Sequence, residues 1–197
     1  MTVHPIEVES YAILHERVDL SAWPPGDREV VARMIHATAD VSFATSARIG
    51  ADAVDAAIEA LRRGAPVIVD AAMVAAGMPT LTTTCLLTDV PVAPAGSTRS
   101  AAAIALAARR HPAGAIWVIG NAPTALAELL RLYAEGLVEP AAVVGVPVGF
   151  VGAAEAKAAL WASPLSGRSI TNVGERGGSP VAAGAVNALA RLAKGTT

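Results

Sequence analysis

His36 and three glycine-rich turns have the strongest claims to chemistry in this 197-residue chain. His36 falls in DREVVARMIHATAD, where Val30, Val31, Met34 and Ile35 mark one helical face. At about 100° per residue, His36 lies nearly opposite the centre of that face, in line with Glu29 and Ala32. An imidazole so placed is either solvated near a helix C-terminus or presented to a site. In a site, its near-neutral pKa suits general acid–base work. The pattern leaves both readings open. His4 near the terminus, His15 on a polar flank and His111 before Pro112 have weaker claims.

Each of the turns follows an apolar run and precedes an Ala-rich helical stretch: IGNAPTALAELL, VGVPVGFVGAAEAK and NVGERGGSPVAAGAV. Strand, glycine turn and helix form the repeating unit of a parallel α/β sheet, whose ligands sit beyond the carboxyl ends of the strands. The turns carry Gly120, Asn121, Pro147, Gly149, Glu155, Arg176, Gly177, Gly178 and Ser179, with Thr124 and Ser179 close to helix starts. Backbone N–H groups at such starts suit carboxylates and other anions. Glycine in a single turn also serves merely to let the chain turn tightly. Three such turns together with Arg176 point to a shared site.

Arg99 opens the helix of TRSAAAI, where a cation opposes the helix dipole unless an anion is near. Its fork fits a carboxylate, although a solvated arginine is the plain alternative. Asp70 ends a strand, where it either orients a donor or caps the helix after it, capping being the first reading. Cys85, the single cysteine, reads as a buried thiol, and one cysteine makes no disulfide within the chain. GNAPT lacks a P-loop lysine and GERGGS is not GxGxxG, so neither nucleotide fingerprint is met. No His/Cys/Asp/Glu spacing makes a metal site, and no nucleophile elbow appears.

The elements that must position these residues are legible in outline. Helices are expected over 5–20, 27–38 and 51–63, with Trp23-Pro24-Pro25-Gly26 breaking the first from the second. Five strands are expected near 66–70, 82–87, 115–119, 141–146 and 169–173, with a helix or helical stretch in each crossover. The expected fold is α/β: a parallel five-stranded sheet, doubly wound, with helices on both faces. The N-terminal helices precede the first strand as an appended layer, one face of which suits an oligomer.

Composition narrows the class. Length fits one full α/β domain, spanning 1–197. Hydrophobic residues make up 53% of the chain but aromatics only 4%, so the apolar content is mostly Ala and Val. That suits close-packed helices on a buried parallel sheet. Mean hydropathy is high at +0.49. Even so, the longest uncharged apolar run, Ala141 to Ala154, holds Pro147 and falls short of the ~20 residues of a spanning helix. A net charge of -2 gives no electrostatic case for nucleic acid. No basic and apolar leader begins the chain, so a cytoplasmic, non-membrane protein is expected.

Taken together, IEVESYAIL, VARMIHATAD, APVIVDAAMVAAGM, TRSAAAI, IGNAPTALAELL, VGVPVGFVGAAEAK and RGGSPVAAGAVNALA closely resemble the precorrin-8X methylmutases. These enzymes of corrin biosynthesis include the cobalt-precorrin-8 methylmutases. The segments keep the family's order from about residue 6 to residue 190. The resemblance implies a flavodoxin-like sheet, a homodimer, and migration of a methyl group from C-11 to C-12 of a tetrapyrrole. That rearrangement needs no redox cofactor, methyl donor or protein-bound metal.

The resemblance also makes His36 the catalytic histidine and brings Ser10 of the first helix toward the same pocket. Arg99, Asn121, Thr124, Arg176, Gly177, Gly178 and Ser179 become candidates for binding the acetate and propionate groups of the substrate. TADVSFATS after His36 departs from the family's expected pattern. A tetrapyrrole carrier without chemistry and a nucleotide-binding α/β enzyme are the rival readings. The missing fingerprints weigh against the second.

Overall fold

The structure, a computed structural model, describes residues 4–195. Six short strands, β1 (Ala47–Ile49), β2 (Val67–Val69), β3 (Thr83–Cys85), β4 (Ile116–Ile119), β5 (Ala142–Gly145) and β6 (Ser169–Asn172), form one sheet. Their spatial order is β1-β6-β5-β4-β2-β3. All five expected strands are present and mutually parallel. The sheet nevertheless has six strands, not five. β1 pairs antiparallel with β6, Arg48 facing Thr171, and covers what would otherwise be an open edge. Three residues carry no usable periodicity, and tertiary pairing alone makes them a strand.

Nine helices surround the sheet among the described residues: α1 (Pro5–Arg17), α2 (Pro25–Thr38), α3 (Phe43–Ser46), α4 (Ala53–Arg62), α5 (Ala72–Ala76), α6 (Arg99–Arg110), α7 (Pro123–Ala134), α8 (Ala153–Ala162) and α9 (Ser179–Ala193). Alternation along the strands divides the core. Val67, Val69, Ile116, Val118, Val144 and Ile170 face a layer of α9, α4 and α5, with α2 and then α1 stacked outside. Ile68, Trp117, Ile119 and Val143 face α6, α7 and α8. Both faces are covered, which is why the central strands are apolar at every position.

The chain passes from β2 out to β3 and then returns across β2 to β4. The order therefore reverses between the carboxyl ends of β2 and β4, the usual ligand-binding crevice of an open α/β sheet. Among the described residues no helix is long and apolar enough to cross a membrane.

Candidate active site

His36 is held between two helices. On the inner side α2 packs on α9 at Gly184, where a Cβ would lie 3.0 Å from the Arg33 carbonyl oxygen and 3.2 Å from the Ala37 Cβ. Only glycine lets the helices approach this closely without displacement. On the outer side α1 covers the flank that the periodicity assigned to the polar face. Ala32 is thus buried along with Val30, Val31, Met34 and Ile35, and His36 is half-buried rather than solvated.

Ser10 Oγ, on α1, lies 3.0 Å from His36 Nδ1. That contact engages one ring nitrogen, and Nε2 has no hydrogen-bond partner among the described residues. Tyr11 stacks on the imidazole, centroids 4.8 Å apart and planes 2° from parallel. One turn earlier on α2, Arg33 donates to Glu7 Oε1 at 2.7 Å and to the Tyr11 hydroxyl at 3.3 Å. Burial, followed by the Arg33 cation, pulls the His36 pKa below its usual 6.5, and Glu7 opposes them. The ring is thus pre-oriented, with one nitrogen free and its proton made more acidic.

Two cavities flank His36. One of about 220 Å³ is lined by Arg33, Gly77, Pro180, Gly184 and Asn187. The other, of about 90 Å³, is lined by Ser10, Ile13, Arg17, Ala39 and Val41. Both fall below the ~300 Å³ at which small-molecule sites usually begin.

The turn before α9 reaches toward the same region. The Arg176 guanidinium donates to the Asp40 carboxylate and, at 3.0 Å, to Ser42 Oγ, both just beyond the end of α2. Gly177 runs so close to the chain just after β5 that a Cβ would strike the Val146 carbonyl. Gly178 has φ +123°, a conformation that disfavours residues with a Cβ. Ser179 opens α9 with its hydroxyl buried and without a hydrogen-bond partner among the described residues. Such an oxygen, at a positive helix end, suits an anionic group. Beneath the turn the buried Lys157 Nζ donates to the Arg176 carbonyl and, at 3.3 Å, to Asn172 Oδ1.

The remaining predicted residues lie at the strand ends, Asn121 in a turn against the start of α9 and Arg99 and Thr124 on the opposite layer. Asn121 is half-buried in the turn after β4. Its N–H and those of Gly120 and Ala122 donate to the Asp70 carboxylate at 2.9, 3.0 and 2.7 Å. Asp70 therefore caps no following helix. It clamps the neighbouring turn across the switch point, so these N–H groups already hold a carboxylate. Burial raises its pKa despite the three donors.

Thr124 is exposed, 2.8 Å from the Thr98 hydroxyl that caps α6. Arg99 is exposed and donates to the carbonyls of Val90 at 2.7 Å and Leu87 at 3.0 Å, which answers its place at a helix start. Cys85 is half-buried at the sheet edge rather than fully buried. The fold thus brings Ser10, His36 and the 176–179 turn onto one face and leaves Arg99 and Thr124 on the other, with Asn121 between them in a turn whose Gly120 abuts Ser179 and Ala182. Sequence reading missed Tyr11, Arg33, Glu7, Lys157 and Asn172. The only signals were the adjacency of Tyr11 to Ser10 and the i, i+3 spacing of Arg33 and His36.

The CbiC precorrin-8X methylmutase family matches residues 5–192. A precorrin-8X methylmutase from a Sinorhizobium species is 41% identical, the match covering 92% of this chain and 91% of that protein. The chain belongs to the precorrin-8X methylmutase family. A cobalt-precorrin-8 methylmutase from Methanothermobacter thermautotrophicus is 39% identical, with 97% of this chain and 94% of that protein covered. A solved precorrin-8X methylmutase from Thermus thermophilus matches with a TM-score of 0.86 and 37% identity, covering 98% and 97% of the two chains. The family likeness therefore extends through the His36 helix, the switch point and the turn before α9.

Proposed function

We infer that this protein is an isomerase of corrin biosynthesis, moving a methyl group between adjacent ring carbons, C-11 and C-12, of precorrin-8X or cobalt-precorrin-8. The observation that carries the residue assignment is His36 itself: held at Nδ1 by Ser10, stacked on Tyr11, with Nε2 unengaged beside two cavities. His36 acts as general acid. In its protonated form Nδ1–H donates to Ser10 Oγ while Nε2–H donates to the conjugated macrocycle. Drawing electron density from the ring toward the new hydrogen bond or proton favours the shift. No group is added and none is lost, so the proton returns to His36 once the methyl group has moved. General acid catalysis of this kind contributes about 10²–10⁴-fold.

Arg176, Gly177, Gly178 and Ser179 are the proposed seat of substrate carboxylates near His36, and the free Ser179 hydroxyl supports that reading. Arg99, Asn121 and Thr124 are proposed to bind other carboxylates of a substrate that spans more than one face. The cavities beside His36 are too small for a tetrapyrrole, and Phe150 and Val151 stand about nine-tenths exposed next to the turn. A homodimer in which the partner completes the pocket answers both facts.

The five parallel strands, counted along the chain, run 2-1-3-4-5, which supports a flavodoxin-like frame extended by β1. We place the protein in the cytoplasm, acting as one domain over 1–197. The test is the absorption spectrum of precorrin-8X, or its cobalt form, with catalytic amounts of wild-type and His36→Ala protein. Turnover by wild type, lost in the variant, supports the assignment. Equal turnover by both removes His36 from the mechanism, and binding without turnover makes the protein a carrier.

A further inference from the structure

Lys157 is one of two lysines in the chain, and it is 1% exposed on α8, in the layer opposite the His36 helix. A buried ammonium is costly unless its donors are used. Here they converge on one point: Nζ donates to the Arg176 carbonyl and to Asn172 Oδ1, while Asn172 Nδ2 donates to the same carbonyl at 2.9 Å and to that of Val173 at 3.2 Å. Two side chains from separate elements, α8 and β6, thus grip the backbone of the one residue whose guanidinium ties to Asp40 and Ser42 beyond the His36 helix. The next three residues are Gly177, Gly178 and Ser179. Backbone bonds tie the turn on either side of Arg176, Glu175 accepting from the Gly149 N–H at 3.2 Å and the Gly178 N–H donating to the Val146 carbonyl at 2.9 Å, but Arg176 itself is followed by two conformationally free glycines.

We propose that Lys157 is a positioning residue for substrate binding: through the Arg176 carbonyl, its ammonium holds the 176–179 turn in its binding conformation. The inference rests on reading that turn as part of the substrate site.

A consequence is a titration that a purely structural side chain lacks. Burial draws the Lys157 pKa down to about 8, with Glu175 opposing. The other charges on elements packed against α8 are paired elsewhere. Arg131 on α7 binds Glu128 and Glu135, and Arg168 before β6 binds Glu139. Loss of the proton weakens the grip on the carbonyl, so the turn loosens above about pH 8. This sits on the alkaline side, well away from the His36 limb.

The experiment measures KM and kcat for precorrin-8X, or its cobalt form, from pH 6.5 to 9.5 in wild type, Asn172→Asp, Lys157→Met and Arg176→Ala. In wild type KM rises above about pH 8, by up to about tenfold per pH unit, with kcat changed less. Asn172→Asp loses the Nδ2 donors to the Arg176 and Val173 carbonyls, which raises KM at every pH, but sets a carboxylate against the ammonium and so moves the pH-dependent rise to higher pH. Lys157→Met shows a raised KM that no longer depends on pH in this range. If Lys157→Met does not fold, the wild-type profile and its displacement in Asn172→Asp still decide. A flat wild-type KM, or a rise that Asn172→Asp leaves in place, overturns the role of Lys157. Arg176→Ala separates the two readings. If its KM equals that of wild type, the assignment of the turn to the substrate site fails; if its KM rises while the pH result is flat, Lys157 alone is wrong.

Discussion

The Tyr11 ring stacks on the His36 imidazole, planes 2° from parallel at a centroid distance of 4.8 Å, while the neighbouring residue Ser10 engages Nδ1. Two consecutive residues of α1 thus fix both the plane and the rotation of the imidazole. Tyr11 is itself fixed by Arg33, which is held by Glu7. α1 contributes a single fully buried side chain, Leu14, so its attachment depends heavily on these polar contacts.

Loss of the acid and loss of its support differ in size. His36→Ala lowers kcat by about 10²–10⁴-fold. Ser10→Ala removes one neutral hydrogen bond, ordinarily ~0.5–1.5 kcal/mol, and lowers kcat about two- to tenfold without unfolding the protein. Steady-state kinetics on both variants checks this, and a Ser10→Ala defect as large as that of His36→Ala would give Ser10 a direct part in the chemistry.

The pH profile follows from the burial of His36 and, after it, from the Arg33 cation. Protonated His36 is the acid, so kcat/KM falls as pH rises through a pKa below 6.5. Arg33→Met removes a positive charge and leaves Glu7, so the His36 pKa rises and the fall moves to higher pH. A substrate rich in carboxylates acts in the same direction once bound, setting the limb in kcat above that in kcat/KM. The stability term has a fixed sign as well. The unfolded chain takes up the His36 proton first, so this contribution is complete above pH 6.5 and is lost as pH falls through the folded value. Profiles of wild type and Arg33→Met suffice, and a limb that moves down in the variant contradicts the assignment.

Asp70 supports the switch point. In Asp70→Asn one acceptor becomes an NH₂ group facing backbone N–H donors of the 120–122 turn. Leaving a buried donor unpaired costs about 1–3 kcal/mol, to be read from urea unfolding. KM rises as well if Asn121 and Thr124 bind substrate. An unchanged midpoint would mean that the turn holds itself.

The parallel strands were legible because they are buried on both faces and read as apolar runs between glycines, and IWVIG before NAPT is the plainest case. β1 was not, since ARI acquires its conformation only by pairing with β6. His36 was legible as an oddity of its helix, but the periodicity of α2 could not show that α1 folds over its polar flank. Asp70 was misread because its partners are 50 to 52 residues away in sequence, across the switch point. Lys157 gave no signal at all: in GAAEAKAALW a lysine looks like one more solvated helix residue.

Whether one subunit holds a complete site can be decided by mixing. His36 stands on the α9 side of the sheet and Arg99 opens α6 on the other, so a pocket that uses both within one chain must reach around the strand ends. A dimer meets the need differently, by setting the His36 face of one subunit against the Arg99 face of its partner. His36→Ala and Arg99→Ala are each expected to be poorly active alone. When the two are unfolded together and refolded, half the dimers are mixed. Each mixed dimer then has one site with both defects and one with neither, so activity recovers to roughly a quarter of wild type. If His36 and Arg99 serve the same site from the same chain, every site keeps one defect and no activity returns. Wild-type activity in Arg99→Ala alone would instead confine Arg99 to pinning the Leu87 and Val90 carbonyls, as its hydrogen bonds already do.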